Sequence, residues 1–153
     1  MAHIHEKIDF TVAIFVVHDG KVLLIHHRKL DSWLPLGGHI ELDEDPEQAA
    51  LREAKEESGL EVELLGDRPP TTGPGTRALL APRFLDIHRI SATHEHIGMI
   101  YWARPKSGAT TLAAEAATLV AGAAVGPEVG AAGVSGDPVA TRTAIRRSVA
   151  AVR

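Results

Sequence analysis

The 153 residues include no cysteine, so disulfides, thiolate metal sites and a catalytic cysteine are all excluded. No apolar run approaches the ~18–20 residues that a membrane-crossing helix needs. The opening residues, Met1 to Lys7, lead into no signal-type apolar core. Positive charge is also short. Lysine and arginine total 16 against 20 aspartates and glutamates, a formal net charge of -4, which disfavours bulk attraction to nucleic acid. The expectation is a cytoplasmic protein with no nucleic-acid and no membrane partner. If it handles anionic phosphates, the compensating positive charge must be local.

Hydrophobic residues make up 44% and charged residues 24%, as in a soluble globular chain, and the length suits one domain over 1–153. Thr11 to Val17 is rich in β-branched residues and predicts a buried strand. Asp19-Gly20 is a hairpin signal, with Val22 to Arg28 as the return strand. A short extended piece with a double glycine follows over Trp33 to Glu41. Asp45 as N-cap, Pro46 at the first helical position, Gln48 closing a capping box and Gly59 as C′ glycine together bound a helix. Leu60 to Leu65, Phe84 to Ile90 and Ile97 to Arg104 predict further strands, and the proline- and glycine-rich stretch Gly66 to Pro82 is a long loop of the kind that often carries function. Strands on both sides of an internal helix indicate a mixed α/β domain.

Residues 107–153 contain no aromatic residue and no lysine. The Ala/Gly-rich segment 107–140 therefore has weak core-forming power, and two origins fit it: a flexible segment or a locally shifted reading frame. Ile145, Val149 and Val152 share one face of a terminal helix predicted over 141–152. A domain short of core would lean on a partner, so a homodimer is expected.

The internal helix carries Arg52, Glu53, Glu56 and Glu57. With ~100° per residue, Glu56 and Glu57 lie about 60° and 40° to either side of Glu53. Like charges at these spacings repel by a few tenths of a kcal/mol per pair. A divalent cation would offset the repulsion, since carboxylate oxygens are hard ligands suited to Mg²⁺ or Mn²⁺, and it would also supply the missing positive charge. For a bare run of glutamates, a solvated acidic face with Arg52 and Lys55 as partners is the default.

The full spacing reverses that default. Gly38, Glu44, Arg52, Glu53, Ala54, Glu56, Glu57, Gly59 and Leu60 stand as G-x5-E-x7-R-E-U-x-E-E-x-G-U, with U apolar. This resembles the Nudix box at every fixed position. Ala54 is smaller than the usual residue at its place, and Leu36 stands where the family more often has proline before the two glycines. The resemblance spans roughly residues 10–105. It implies a Nudix-type α/β/α sandwich with a mixed sheet, and hydrolysis of a nucleoside diphosphate linked to another moiety X. By position, it implies that Glu53, Glu56, Glu57 and the Gly37 carbonyl hold Mg²⁺, with Mn²⁺ as substitute. Arg52 would orient the glutamates and Glu44 would support the loop. The general base would be Glu53 or Glu95. The alternative is a Nudix fold that senses a nucleotide without cutting it; the intact Arg52, Glu53, Glu56 and Glu57 set argues for catalysis.

Other residues are weighed on their own chemistry. Arg28 leads toward the loop before the box and could clamp a phosphate; Trp33 could stack on a base at the pocket rim. Gly38 would face the substrate. His94 and His96, with His88 nearby, could contact substrate, sit in a polar turn, or ligate a transition metal, although four-ligand zinc needs more partners than the sequence identifies. Tyr101 and Trp102 point to opposite faces of one strand, so only one is expected in the core.

Overall fold

A computed structural model describes residues 4–18, 21–27, 31–70, 73–106 and 117–121. The elements in order are β1 (Ile8–His18), β2 (Lys21–His27), β3 (Ser32–Leu34), β4 (Leu36–His39), α1 (Pro46–Ser58), β5 (Val62–Leu65), β6 (Phe84–Arg89), β7 (Glu95–Pro105) and β8 (Ala117–Ala121). The terminal helix expected over 141–152, and Arg28, lie outside the described residues. No described helix is long and apolar enough to cross a membrane.

The strands form one mixed sheet with β3-β2-β1-β7-β5 as its main path, β4 on β1, β6 on β7 and β8 on β2. Its spine is the parallel pair β1 and β7, in register from Ile8 opposite Glu95 to Val16 opposite Ala103. The other pairings are antiparallel. Two long strands of β-branched and aromatic residues suit this central place, because both of their faces are covered and their runs are nearly continuously apolar.

Alternation along β1 sorts the core into two layers. Val12, Ile14 and Val16 pack with Leu36, Val62, Tyr101 and Ala103 beneath the small Ala49, Ala50 and Ala54 of α1. The other face gathers Phe15, Ile100 and Trp102 with Val22 and Leu24. Tyr101 and Trp102 are therefore both buried, at 1% and 5% exposure, one on each face. The expectation that only one would reach the core is corrected: both faces of β7 carry an apolar cluster. Ala54 is fully buried, so a larger side chain there would hold the helix away from the sheet. Leu36 is likewise fully buried and opens β4 opposite Ile14.

The segment after Lys106 holds a feature its composition did not announce. Ala117 to Ala121 pairs antiparallel with β2, Val120 opposite Val22 and Leu119 opposite Leu23. Backbone pairing on an available strand edge needs no large side chains.

Candidate active site

The local signals read from the sequence build α1 as expected. The Asp45 carboxylate accepts from the N–H groups of Glu47 (2.8 Å) and Gln48 (3.0 Å), and the Gln48 side chain accepts from Asp45 N–H at 2.9 Å. Gly59 closes the helix in the left-handed region, at φ 74°.

Arg52 is the hub of the acidic face. Its Nε and Nη2 grip both oxygens of Glu44, at 3.0 and 2.6 Å. Nη1 reaches Glu53 Oε1 at 2.9 Å and Glu56 Oε2 at 3.3 Å, and Nη2 also donates to the His39 carbonyl at 3.1 Å. One guanidinium thus ties the loop after β4 to the helix through charge-assisted hydrogen bonds. Its bond to Glu44 holds the Glu44 carboxyl below the usual range and raises Arg52 further above its ordinary value. The Glu53 side chain is nearly buried and that of Glu56 largely exposed.

Glu57 reaches the glycine loop, accepting from Gly37 N–H at 2.8 Å. Burial pushes its carboxyl up to about 7, and repulsion from Glu53 and Glu56 adds to this while the Gly37 N–H opposes it. The two glycines are there for space. A Cβ on Gly38 would lie 2.1 Å from Glu53 Oε1, and one on Gly37, whose φ is +152°, would lie 2.1 Å from the Val12 carbonyl oxygen. The result is a concentration of negative oxygens on α1, pressed against backbone and balanced by one arginine.

The NUDIX domain family model matches residues 7–118. The chain belongs to the NUDIX family. It is similar to a CTP pyrophosphohydrolase from Escherichia coli (strain K12), 30% identical over 102 residues that make up 62% of this chain and 75% of that protein. It also resembles a MutT-like protein from Streptomyces ambofaciens, 41% identical over 51 residues; that match spans only 33% of either protein. Among solved structures, a NUDIX-family hydrolase from Clostridium perfringens aligns with a TM-score of 0.61 at 34% identity, covering 74% of this chain and 81% of that one. A MutT NUDIX hydrolase from Burkholderia pseudomallei shares the fold, with a TM-score of 0.56 at 24% identity over 76% of this chain and 84% of that one. The chain is thus a Nudix hydrolase, of a family that acts on nucleoside diphosphate derivatives and generally uses divalent metals.

The other residues singled out in the sequence fall in three places relative to this Nudix helix. Glu95 opens β7 opposite Ile8 and Arg89, on the sheet face that carries α1. Among the described residues, no hydrogen bond or ion pair joins it to the helix carboxylates. Trp33 on β3 is 37% exposed and packs against His26, with ring centroids 5.2 Å apart. His94 and His96 are not brought to the helix at all. Asp9 pairs with His96 and Thr11 with His39, which puts these side chains on the face turned away from α1. There His96 lies among His39, His94 and His88, with centroids 4.8, 5.3 and 5.7 Å away. Burial first, then these neighbouring imidazoles, push His96 down to about 4.

Sequence reasoning missed two groups. Asp9 and His39 join the histidines, although Asp9 could have been noticed as a carboxylate bordering an apolar strand. The second is a clasp on the loop 66–82. Arg68 donates to both Glu47 oxygens at 2.8 and 2.6 Å, Leu80 N–H donates to Glu47 at 2.6 Å, and Arg77 donates to Asp45 at 2.7 Å. Arg68 also bonds the Ala78 carbonyl. An acid in the first helical turn facing a loop with two arginines was the available signal.

Proposed function

We propose that this chain hydrolyses a diphosphate linkage in a nucleoside diphosphate linked to a second moiety, with Mg²⁺, or Mn²⁺ in its place, held by Glu53, Glu56, Glu57 and the Gly37 carbonyl. The observation that carries this reading is the gathering of Glu53, Glu56 and Glu57 on one side of α1, the first two held by Arg52 and the third against Gly37. Burial first, with repulsion from Glu53 and Glu56 added, raises Glu57 to about 7, and a cation among these hard oxygen donors would offset both the burial and the repulsion. The donor set fits Mg²⁺, which accepts a few carboxylates together with substrate phosphates and waters.

When bound, the metal supplies charge neutralisation of the diphosphate and a lowered proton affinity for water. The chain's own residues do the rest. Arg52 keeps Glu53 and Glu56 in fixed orientation, and its hold on Glu44 and the His39 carbonyl keeps the glycine loop in step with the helix. The missing side chains let Gly37 lie against the Val12 backbone and Gly38 directly against the Glu53 carboxylate. Glu53 or Glu95 takes the proton from the attacking water; the nearly buried Glu53 is already beside the other carboxylates. Phosphoryl displacement depends mainly on such positioning and charge compensation. Trp33, partly exposed, would stack on the base, and Arg28 would clamp a phosphate or the X group.

The name of the Escherichia coli relative supports placing CTP first in a substrate panel, beside ADP-ribose, dinucleoside polyphosphates and nucleotide sugars. Release of nucleoside monophosphate or phosphate with Mg²⁺, lost in Glu57→Gln, is the expected result. Tight nucleotide binding with no turnover across the panel would instead establish the non-catalytic sensor.

A cytoplasmic location and a homodimer belong to the same proposal. Ile8, Phe10, Leu85 and Ile87 are exposed on adjoining strands of the α1-bearing face, an apolar patch that a second copy would cover. Light scattering that returns the mass of one chain would refute the dimer.

A further inference from the structure

The histidine cluster on the far side of the sheet has the composition and geometry of a second metal site. We propose that Asp9, His94 and His96, with His39 as the fourth donor, bind one Zn²⁺ ion on the face of the sheet opposite the Nudix helix.

One donor atom each from Asp9, His94 and His96 lies within 4.8 Å of the others. Asp9 is fully buried and His94 is 4% exposed. Asp9 Oδ2 stands 3.1 Å from His39 Nε2 and 3.2 Å from His94 Nε2. With metal–ligand bonds of about 2.0–2.1 Å, donor atoms at the corners of a tetrahedral zinc site stand about 3.3 Å apart. The carboxylate oxygen stands at nearly that spacing from each of two imidazole nitrogens.

The hydrogen bonds behind the donors point the same way. His94 Nδ1 lies 3.2 Å from the Glu6 carbonyl oxygen. A carbonyl only accepts, so Nδ1 carries the proton. In the neutral imidazole, Nε2 then presents a lone pair, and what it faces is a carboxylate oxygen. Two lone pairs at this distance repel unless a proton or a metal cation lies between them, and the test below separates the two. A backbone carbonyl holding the far nitrogen is also the usual support of a metal-ligating histidine. The carboxylate is steadied in turn by the N–H groups of Ile4 at 3.2 Å and His5 at 2.7 Å.

Three imidazoles and one carboxylate suit Zn²⁺ rather than Mg²⁺, which prefers oxygen donors. A buried, four-donor site without an open position is structural rather than catalytic. It would join β1, β4 and the start of β7 at one point. His39 also follows Gly38 directly and lends its carbonyl to Arg52, so the ion would steady the catalytic loop from behind.

The test uses the tag-free full chain, stripped with a chelator and titrated with Co²⁺ and then Zn²⁺. The expected result is one equivalent of Co²⁺ with an intense tetrahedral visible band, displaced by Zn²⁺. The band should persist in Glu57→Gln and be lost in His96→Gln and Asp9→Asn. X-ray absorption of the zinc-loaded wild type should show imidazole scattering from at least two histidines, a readout that needs no folded variant. A wild-type chain that gives only the weak octahedral cobalt spectrum would overturn the proposal. So would a band that survives in folded His96→Gln, or zinc coordinated without imidazole; a proton shared between His94 and Asp9 would then explain the contact.

Discussion

Under the proposed function, the raised carboxyl of Glu57 makes metal uptake by the Nudix helix depend on pH in a way that can be worked out beforehand. The perturbation is a change from pH 8 to pH 6 in the metal-free protein. With the carboxyl at about 7, about a tenth of the chains hold the Glu57 proton at pH 8 and about nine-tenths at pH 6. A cation bound by the carboxylate must displace that proton, so apparent Mg²⁺ or Mn²⁺ affinity should fall about tenfold across the interval. An ordinary glutamate would lower it by only a few per cent. Titration calorimetry in buffers of different ionisation enthalpy reads both quantities, and release should approach one proton per ion at pH 6. The stability of the metal-free chain carries the same sign. A carboxyl raised from 4.5 to about 7 contributes stability fully present below 4.5 and lost as pH rises through 7, because the unfolded chain releases the proton first. Melting without metal should therefore occur at a lower temperature at pH 8 than at pH 6, a difference that Glu57→Gln removes. Equal affinity at the two pH values, or a pH dependence retained in Glu57→Gln, would refute the reasoning.

Other changes have equally definite outcomes. Gly38→Ala puts a methyl group 2.1 Å from Glu53 Oε1, so turnover should drop about 10²-fold or more while circular dichroism stays native; unchanged kcat would refute the close approach. Arg52→Ala removes the partner shared by Glu44, Glu53 and Glu56. Loss of such a supporting contact typically weakens metal affinity or activity about 10–100-fold, which Mn²⁺ titration and steady-state kinetics would detect. Glu47→Ala deprives Leu80 N–H of its acceptor and Arg68 of its carboxylate; urea unfolding should show a loss of about 1–3 kcal/mol, and limited proteolysis should speed up between residues 66 and 82.

What could be read ahead from the residues was what is local in the chain. The ends of α1 followed from Asp45, Pro46, Gln48 and Gly59, because a cap is settled by neighbours within a few positions. The carboxylate arc followed from helical periodicity, and the family from the spacing between Gly38 and Leu60. What escaped notice depends on register between distant segments. The alternation of His94 and His96 puts them on one face, but only the pairing of Asp9 with His96 decides which face. That pairing brings the histidines to Asp9 and His39, on the face opposite the helix glutamates. The burial of both Tyr101 and Trp102 needed knowledge of a sheet covered on its two sides. β8 escaped because Ala117 to Ala121 is recruited by the backbone of β2, which no side-chain pattern reveals.

The clasp that holds the loop 66–82 to the first turn of α1 also has a consequence for how such a chain can diversify. Arg68 and Arg77 anchor the loop at two points on the helix cap, so the ends of the stretch between them are fixed from outside it. Doubling the length of such a stretch costs only about 0.6 kcal/mol in closure entropy. Insertions between the anchors should then be tolerated at little cost, while the helix beneath keeps its carboxylates in place.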